Sequence, residues 1–287
     1  MSEREVDDGS GVETTGHEWD GIKELNTPLP RWWLWTFYAT IIFAIGYTIA
    51  FPAWPLISSA TPGVLGYSSR ANHANEVAAA KTAQGDTLAR VAELPVADIL
   101  KDENLTRFAT AGGKSLFKVN CAQCHGTGAT GAAGYPNLND DEWIWGGTID
   151  QIYATISHGV RSTTDPETHF NLMPVFADGV LSREQIQSVA KYVASLSGIE
   201  GGEATPEGQQ VFAENCVACH GANGEGMPEI GGPSLNDGIW LYDGSLLGIE
   251  AQLNAPRAGM MPAWTPRLGD VAAKQLAVYV HGLGGGQ

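Results

Sequence analysis

Cysteine is scarce in this chain, and no thiol lies outside two short runs: all four cysteines fall in "CAQCHG" at 121–126 and "CVACHG" at 216–221. Basic residues are scarce too, with 16 Lys and Arg against 32 Asp and Glu. A surface with that deficit repels polyanions, which excludes nucleic acid as a partner. Charge of either sign is missing altogether from Trp32 to Ser69.

Three chemistries compete for the cysteines. A zinc site needs four donors, with a Cys-x-x-Cys pair close to a second ligand pair, and the two runs here lie 95 residues apart (121 to 216). A thioredoxin-type redox pair needs a βαβ setting, and none is visible. The third chemistry explains the histidine that follows each second cysteine. Cys-x-x-Cys-His is the attachment pattern of c-type haem: two thiols add to the porphyrin vinyl groups and the adjacent imidazole becomes the proximal iron ligand. Cys121, Cys124 and His125 then hold one haem c, and Cys216, Cys219 and His220 a second.

The surroundings of the two runs are duplicated. "GGKSLFKVNCAQCHG" (112–126) matches "EGQQVFAENCVACHG" (207–221), and "PNLNDDEW" (136–143) matches "PSLNDGIW" (233–240). Further on, "LMPVF" (172–176) matches "MMPAW" (260–264), and "AKYVASLSG" (190–198) matches "AVYVHGLGG" (277–285). The order is the same in both copies, so one folding unit of about 85–95 residues is used twice, a small-domain size.

Each unit starts with a helical stretch in which Phe117 or Phe212 falls four residues before the first thiol, one turn away on the same face. Such a ring packs on the haem edge or in the core. A glycine-rich loop follows the haem run, with the backbone freedom to wrap a large flat cofactor. An amphipathic helix closes the unit. In the first copy Ser182 and Gln185 have capping-box spacing, and Ile186, Val189, Val193 and Leu196 form one stripe; Leu276, Val280 and Leu283 play that part in the second.

The sixth iron ligand is expected from the intervening loop. Met173 in "NLMPVF" and Met261 in "GMMPAW" each precede a proline and lie 48 and 41 residues after His125 and His220. A thioether is a soft ligand that raises the reduction potential relative to a second histidine. Met260 competes with Met261, and the proline register favours Met261. Repeat symmetry leans toward each methionine serving its own unit, though reach across to the other unit stays open. Met227 has no counterpart and reads as loop or core. His158 and His169 do not recur in the second copy and read as solvent-facing or loop-bonded, while His17, His73 and His281 carry no motif.

The uncharged segment begins "RWWLWTFYATIIFAIGYTIAFPAWP". Its strongly apolar part, Trp32 to Ala50, makes about 28 Å of helix, enough to cross a bilayer once. Trp32, Trp33, Trp35 and Tyr38 suit one interface and Trp54 the other, and Pro52 and Pro55 mark the helix end. A cleaved signal peptide is the rival reading. Its n-region should be basic, yet residues 1–30 hold eight acids and two bases, and the apolar run is too long for an h-region. An uncleaved anchor is expected. Because c-type haem is attached outside the cytoplasm, residues 58–287 are expected in the periplasm and 1–30 in the cytoplasm. Residues 58–107 read as a helical connecting arm without chemistry of its own. Residues 58–287 carry 24 acids and 13 bases, a net of −11 that attracts a basic donor cytochrome c or merely aids solubility.

The run "HEWDGIKELNTPLPRWWLWTFYATIIFAIGYTIAFPAWP" (17–55), followed by "LGYSSR" (65–70) and the two haem units, resembles the dihaem subunit III, FixP or CcoP, of bacterial cbb3-type cytochrome c oxidase. The resemblance runs from about His17 to the end. It implies a mainly α fold: a single N-terminal transmembrane helix followed by two tandem class I cytochrome c-like domains. The expected boundaries are 1–30 (cytoplasmic segment), 31–57 (anchor), 58–107 (arm), 108–200 and 203–287 (cytochrome c domains). It also implies a non-catalytic relay in the bacterial inner membrane, taking electrons from a donor cytochrome c and passing them through a monohaem cytochrome c subunit to a catalytic haem–copper subunit. The family's complex pumps protons and works where oxygen is scarce. Cys121, Cys124, His125, Cys216, Cys219 and His220, with Met173 and Met261 on iron, are the implied site residues. A dihaem peroxidase or gas-binding cytochrome needs an open iron position, which two methionine ligands remove. The cytochrome subunit of a periplasmic dehydrogenase is opposed only by the N-terminal signature.

Overall fold

The computed structural model describes residues 5–286. The chain divides into two compact units, 1–83 and 84–287. In the first, strands β1 (Thr14–Trp19) and β2 (Ile22–Leu25) pair antiparallel. Asp20 and Gly21 make the turn at φ +50° and +84°, the conformation for which Asp-Gly is favoured in two-residue hairpin loops. The uncharged segment forms helix α1 (Arg31–Ala50), with none of its residues buried. It is long and apolar enough to cross a membrane. The helix starts after Pro30 and stops at the extended Phe51, next to Pro52, because proline cannot donate the next helical hydrogen bond. Helix α2 (Ser69–Glu93) covers the connecting arm and runs past the boundary at 83/84.

The second unit is helical throughout its regular structure. It comprises α3 (Val96–Ile99), α4 (Glu103–Asn120), α5 (Ala122–His125), α6 (Ile149–His158), α7 (Arg183–Leu196), α8 (Pro206–Asn215), α9 (Val217–His220), α10 (Leu246–Asn254), α11 (Thr265–Leu268) and α12 (Asp270–His281). A 3-10 turn at Pro228–Ile230 adds to these. Side-chain caps fix several starts. Asp102 accepts from the backbone N–H groups of Asn104 and Leu105. Thr148 and Ser182 form full capping boxes with Gln151 and Gln185. Each such cap is worth about 1 kcal/mol.

The two cytochrome c repeats follow one another along the chain, and their helices pack across the repeats. The N-terminal helix of the first sequence repeat, α4, packs on α12, the C-terminal helix of the second repeat; α8 of the second repeat packs on α7 of the first. Two cores result. One gathers Leu105, Ala109 and Phe117 with Ile152, Ile156, Leu276 and Val280. The other gathers Ile186, Val189 and Val193 with Val211, Phe212 and Leu253. The two repeats therefore exchange their closing helices. Val91, Val96 and Ile99 also enter the first core, so the end of the arm is structural packing rather than a spacer. The boundary expected at 107/108 falls inside α4.

Close helix contact explains two glycines at equivalent places. A Cβ on Gly113 of α4 would lie 2.1 Å from the Gln275 carbonyl oxygen of α12, and one on Gly208 of α8 would lie 2.5 Å from the Ser188 carbonyl oxygen of α7. One helical turn on, the rings of Phe117 and Tyr279 sit 5.4 Å apart and those of Phe212 and Tyr192 5.2 Å apart. The same interface is built twice, each time from helices of different repeats.

Candidate haem-binding sites

Each Cys-x-x-Cys-His run occupies the corner between a long helix and a single turn. The Cys121 N–H donates to the Phe117 carbonyl at 2.9 Å and the His125 N–H to the Cys121 carbonyl at 2.9 Å; Cys216 and His220 repeat this at 2.8 and 3.0 Å. The short turn places cysteine and histidine side by side at the mouth of a cavity. One cavity is lined by Cys121 and His125, the other by Cys216, Cys219 and His220. Cys124 is exposed, and all four cysteines are free thiols.

The imidazoles are oriented from behind. His125 Nδ1 lies 3.0 Å from the Pro136 carbonyl, and His220 Nδ1 2.8 Å from the Pro233 carbonyl. A carbonyl only accepts, so Nδ1 carries the proton and Nε2 is left with a free lone pair, the arrangement usual for metal-bound histidine. Burial lowers the pKa of both rings, against the opposing effect of the carbonyl bond, and keeps them neutral. Pro136 and Pro233 open the duplicated "PNLND" and "PSLND" segments. Sequence reasoning aligned those segments without seeing their role; the shared Pro-x-Leu-Asn-Asp pattern, 11 and 13 residues after the two histidines, was the available signal.

The first cysteine of each run is the more buried of its pair. Burial, with a smaller contribution from the neighbouring thiol, pushes Cys121 and Cys216 up to about 11. Among the described residues no three His, Cys, Asp or Glu side chains gather in a metal-binding group. A histidine with a free Nε2 beside paired thiols at an apolar cavity fits a covalently attached haem.

The methionines are exchanged like the helices. Met261, from the second repeat, lines the cavity of His125, and Met173, from the first, lines the cavity of His220. The lean toward each methionine serving its own unit is not what the structure shows. Met260 is 62% exposed, while Met261 packs on the first core. Backbone bonds hold the exchange in place. Val160 and Met261 bond in both directions at 2.9 Å, the Trp264 N–H donates to the Ile156 carbonyl at 3.0 Å, and the Phe176 N–H donates to the Leu253 carbonyl at 3.2 Å. Gly159 allows the first of these. It sits at φ +72°, and a Cβ there would lie 2.4 Å from the Met261 carbonyl oxygen.

The remaining expected residues take lesser places. Phe117 lines the first cavity and is also core, 1% exposed, while Phe212 is core. His158 lies 3.2 Å from an Asp165 carboxylate oxygen. His169 stacks on Trp145 at 4.5 Å and lies 3.1 Å from the Thr155 hydroxyl. Neither lines either of these two cavities. His17 and His73 are exposed, and Met227 forms a bridge with Gly232. Arg161, which lines both cavities, was not foreseen.

Comparison with known proteins decides the family. Residues 11–58 match the N-terminal domain of cytochrome oxidase-cbb3, FixP; residues 110–197 match cytochrome c; and residues 203–280 match cytochrome C oxidase, cbb3-type, subunit III. The cbb3-type cytochrome c oxidase subunit FixP of Sinorhizobium medicae is 55% identical over 99% of this chain and 98% of its own length. The chain belongs to the FixP/CcoP family of cbb3-type cytochrome c oxidase subunits. Subunit FixPc of Rhizobium leguminosarum bv. viciae is 53% identical over the whole of both chains, and subunit CcoP of Cereibacter sphaeroides 48% identical over 96% of this chain and 95% of its own. Membership makes the chain a membrane-associated c-type cytochrome of electron transport, with haem c as its cofactor.

Proposed function

We propose that the chain carries two covalent haems c and relays electrons, without itself reducing oxygen, within a cbb3-type oxidase. Cys121 and Cys124 attach one haem, with His125 and Met261 as iron ligands; Cys216 and Cys219 attach the other, with His220 and Met173. The observation that carries this reading is the placement of a methionine in each histidine-bearing cavity. When bound, each haem would supply a one-electron couple, and a methionine thioether ligand would raise its potential relative to a second histidine. The chain's own residues do the rest. The Pro136 and Pro233 carbonyls fix the imidazoles, and the apolar walls exclude water. The methionines close the position that a peroxidase or gas sensor would leave open.

Names of relatives as oxidase subunits support partnership with a catalytic haem–copper subunit and a monohaem cytochrome c subunit, with a soluble or anchored cytochrome c as donor. Helix α1 supports a single anchor. Extracytoplasmic haem attachment supports a periplasmic location for residues 58–287, a cytoplasmic one for residues 1–30, and bacterial inner membrane as the site. A tag on this chain should recover both oxidase subunits from native membranes, and a pyridine haemochrome assay should give two haems per chain. Deleting residues 58–287 should stop oxidation of cytochrome c while the oxygen site still reacts with small artificial reductants. Recovery of a soluble dehydrogenase in their place would overturn the assignment, since haem motifs alone do not distinguish those partners.

A further inference from the structure

The two cavities share a wall. Ile144, Arg161, Leu241 and Gly259 line both of them, and Arg161 alone among these is charged. Its guanidinium is held by main-chain oxygens: Nε donates to the Gly259 carbonyl at 2.6 Å and Nη1 to the Asn171 carbonyl at 3.0 Å. Asn171 lies two residues before Met173 and Gly259 two before Met261, so one side chain ties together the two exchanged methionine loops. Among the described residues no carboxylate pairs with Arg161, and no hydrogen bond runs from Nη2 to protein.

The backbone is committed to this placement. Arg161 has φ +52°, a left-handed conformation uncommon for a residue with a Cβ and outside the Asn, Asp and His enriched there. The residue before it, Val160, bridges both His169 and Met261. Outliers of this kind persist where surrounding structure over-determines them, often at functional sites. The arginine beside the second cavity differs in kind. Arg257 stacks 4.3 Å over the Tyr242 ring and bonds to Gln252, and it lines only that cavity.

We propose that Arg161 is a shared electrostatic post for both haem sites: its free guanidinium edge binds a haem propionate on the common wall, and its charge raises the reduction potential of both haems. The proposal rests on the dihaem reading above. Guanidinium stays charged throughout the working pH range and matches carboxylate geometry. A fixed positive charge favours the electron-rich ferrous state, and the effect is large where water is excluded. The two potentials are therefore raised together by one residue.

The experiment is a redox titration of the full chain carrying Arg161→Gln, resolved into its two components, beside wild type, Arg161→Lys and Arg257→Gln. Haem content is measured in each. Arg161→Gln should retain two haems and lower both potentials, Arg161→Lys should restore most of the shift, and Arg257→Gln should move one component only. Two haems with both potentials unchanged in Arg161→Gln, or a shift confined to one, would overturn the proposal while leaving the dihaem reading intact. If Arg161→Gln fails to load haem, Arg161→Lys decides: potentials near wild type support the charge, and potentials lowered in both despite the retained charge reject it. Wild-type protein without two haems would instead sink the dihaem reading itself.

Discussion

Val160 and Met261, 101 residues apart in the chain, donate their main-chain N–H groups to each other's carbonyls, both at 2.9 Å. This pair fastens the methionine loop of the second repeat to the helix end that follows α6 of the first. Exchange of this kind links the two sites: the segment from Met261 onward supplies both α12, the packing partner of α4, and the methionine that lines the His125 cavity.

Cross-ligation is checked by removing one haem at a time. In a Cys216→Ala/Cys219→Ala background, which retains attachment only at Cys121 and Cys124, Met261→Leu should abolish the near-infrared sulfur-to-iron band and lower the remaining potential. Met173→Leu in that background should leave the band intact. The reverse pattern would return each methionine to its own repeat. Loss through Met260→Leu would identify the neighbouring residue as the ligand.

Gly113 and Gly208 are sites of a second test. Alanine in a helix interior is intrinsically better than glycine by about 1 kcal/mol. Here a Cβ at Gly113 would stand 2.1 Å from a backbone oxygen of α12, which no side-chain rotamer change relieves. Overpacking typically costs about 1–3 kcal/mol, so Gly113→Ala should lower the denaturation midpoint of the haem-loaded protein, and Gly208→Ala should do so as well. A raised midpoint in either would show that the helices can separate without loss.

Much of this was legible in the sequence because the chemistry is local. The Cys-x-x-Cys-His runs, the capping boxes at Ser182 and the apolar run of α1 each declare themselves within a few residues. The Asp20-Gly21 turn was equally local and went unread for want of strong strands beside it. The helix exchange was not legible. Duplicated repeats present nearly identical faces, so α12 satisfies α4 as well as α7 would, and spacing along the chain carries no record of which copy is chosen. Arg161 escaped for a related reason: its place on a shared wall exists only once the two repeats are interleaved.

Electron entry provides a third test. Residues 58–287 carry a net charge of −11 (13 bases against 24 acids), and screening shortens the reach of surface charge to about 8 Å near physiological salt. The rate with a basic donor cytochrome should fall as ionic strength rises. A salt-independent rate would remove charge steering from the account and leave the relay standing.

Glu142 supplies the pH dependence. It lines the first cavity beside Asp237, whose Oδ2 is buried and has no hydrogen-bond partner among the described residues. Two carboxylates can hydrogen-bond only if one holds a proton. Burial first, then the negative charge of Asp237 with Asp141 and Asp140, raises the Glu142 carboxyl from 4.5 to about 7. A raised carboxyl pKa means that the folded state holds its proton more tightly than the unfolded chain does. Between about pH 4.5 and 7 the folded state binds more protons, so stability falls as pH rises through that window. The contribution is fully present below the unfolded value and gone above the folded one. Glu142→Gln keeps a donor for Asp237 and cannot ionise. It should flatten the stability–pH slope between pH 5 and 7 by about one proton, measured by denaturant titration of the haem-loaded protein at several pH values. An unchanged slope would mean that Glu142 is already ionised across that range and that another group is the donor to Asp237.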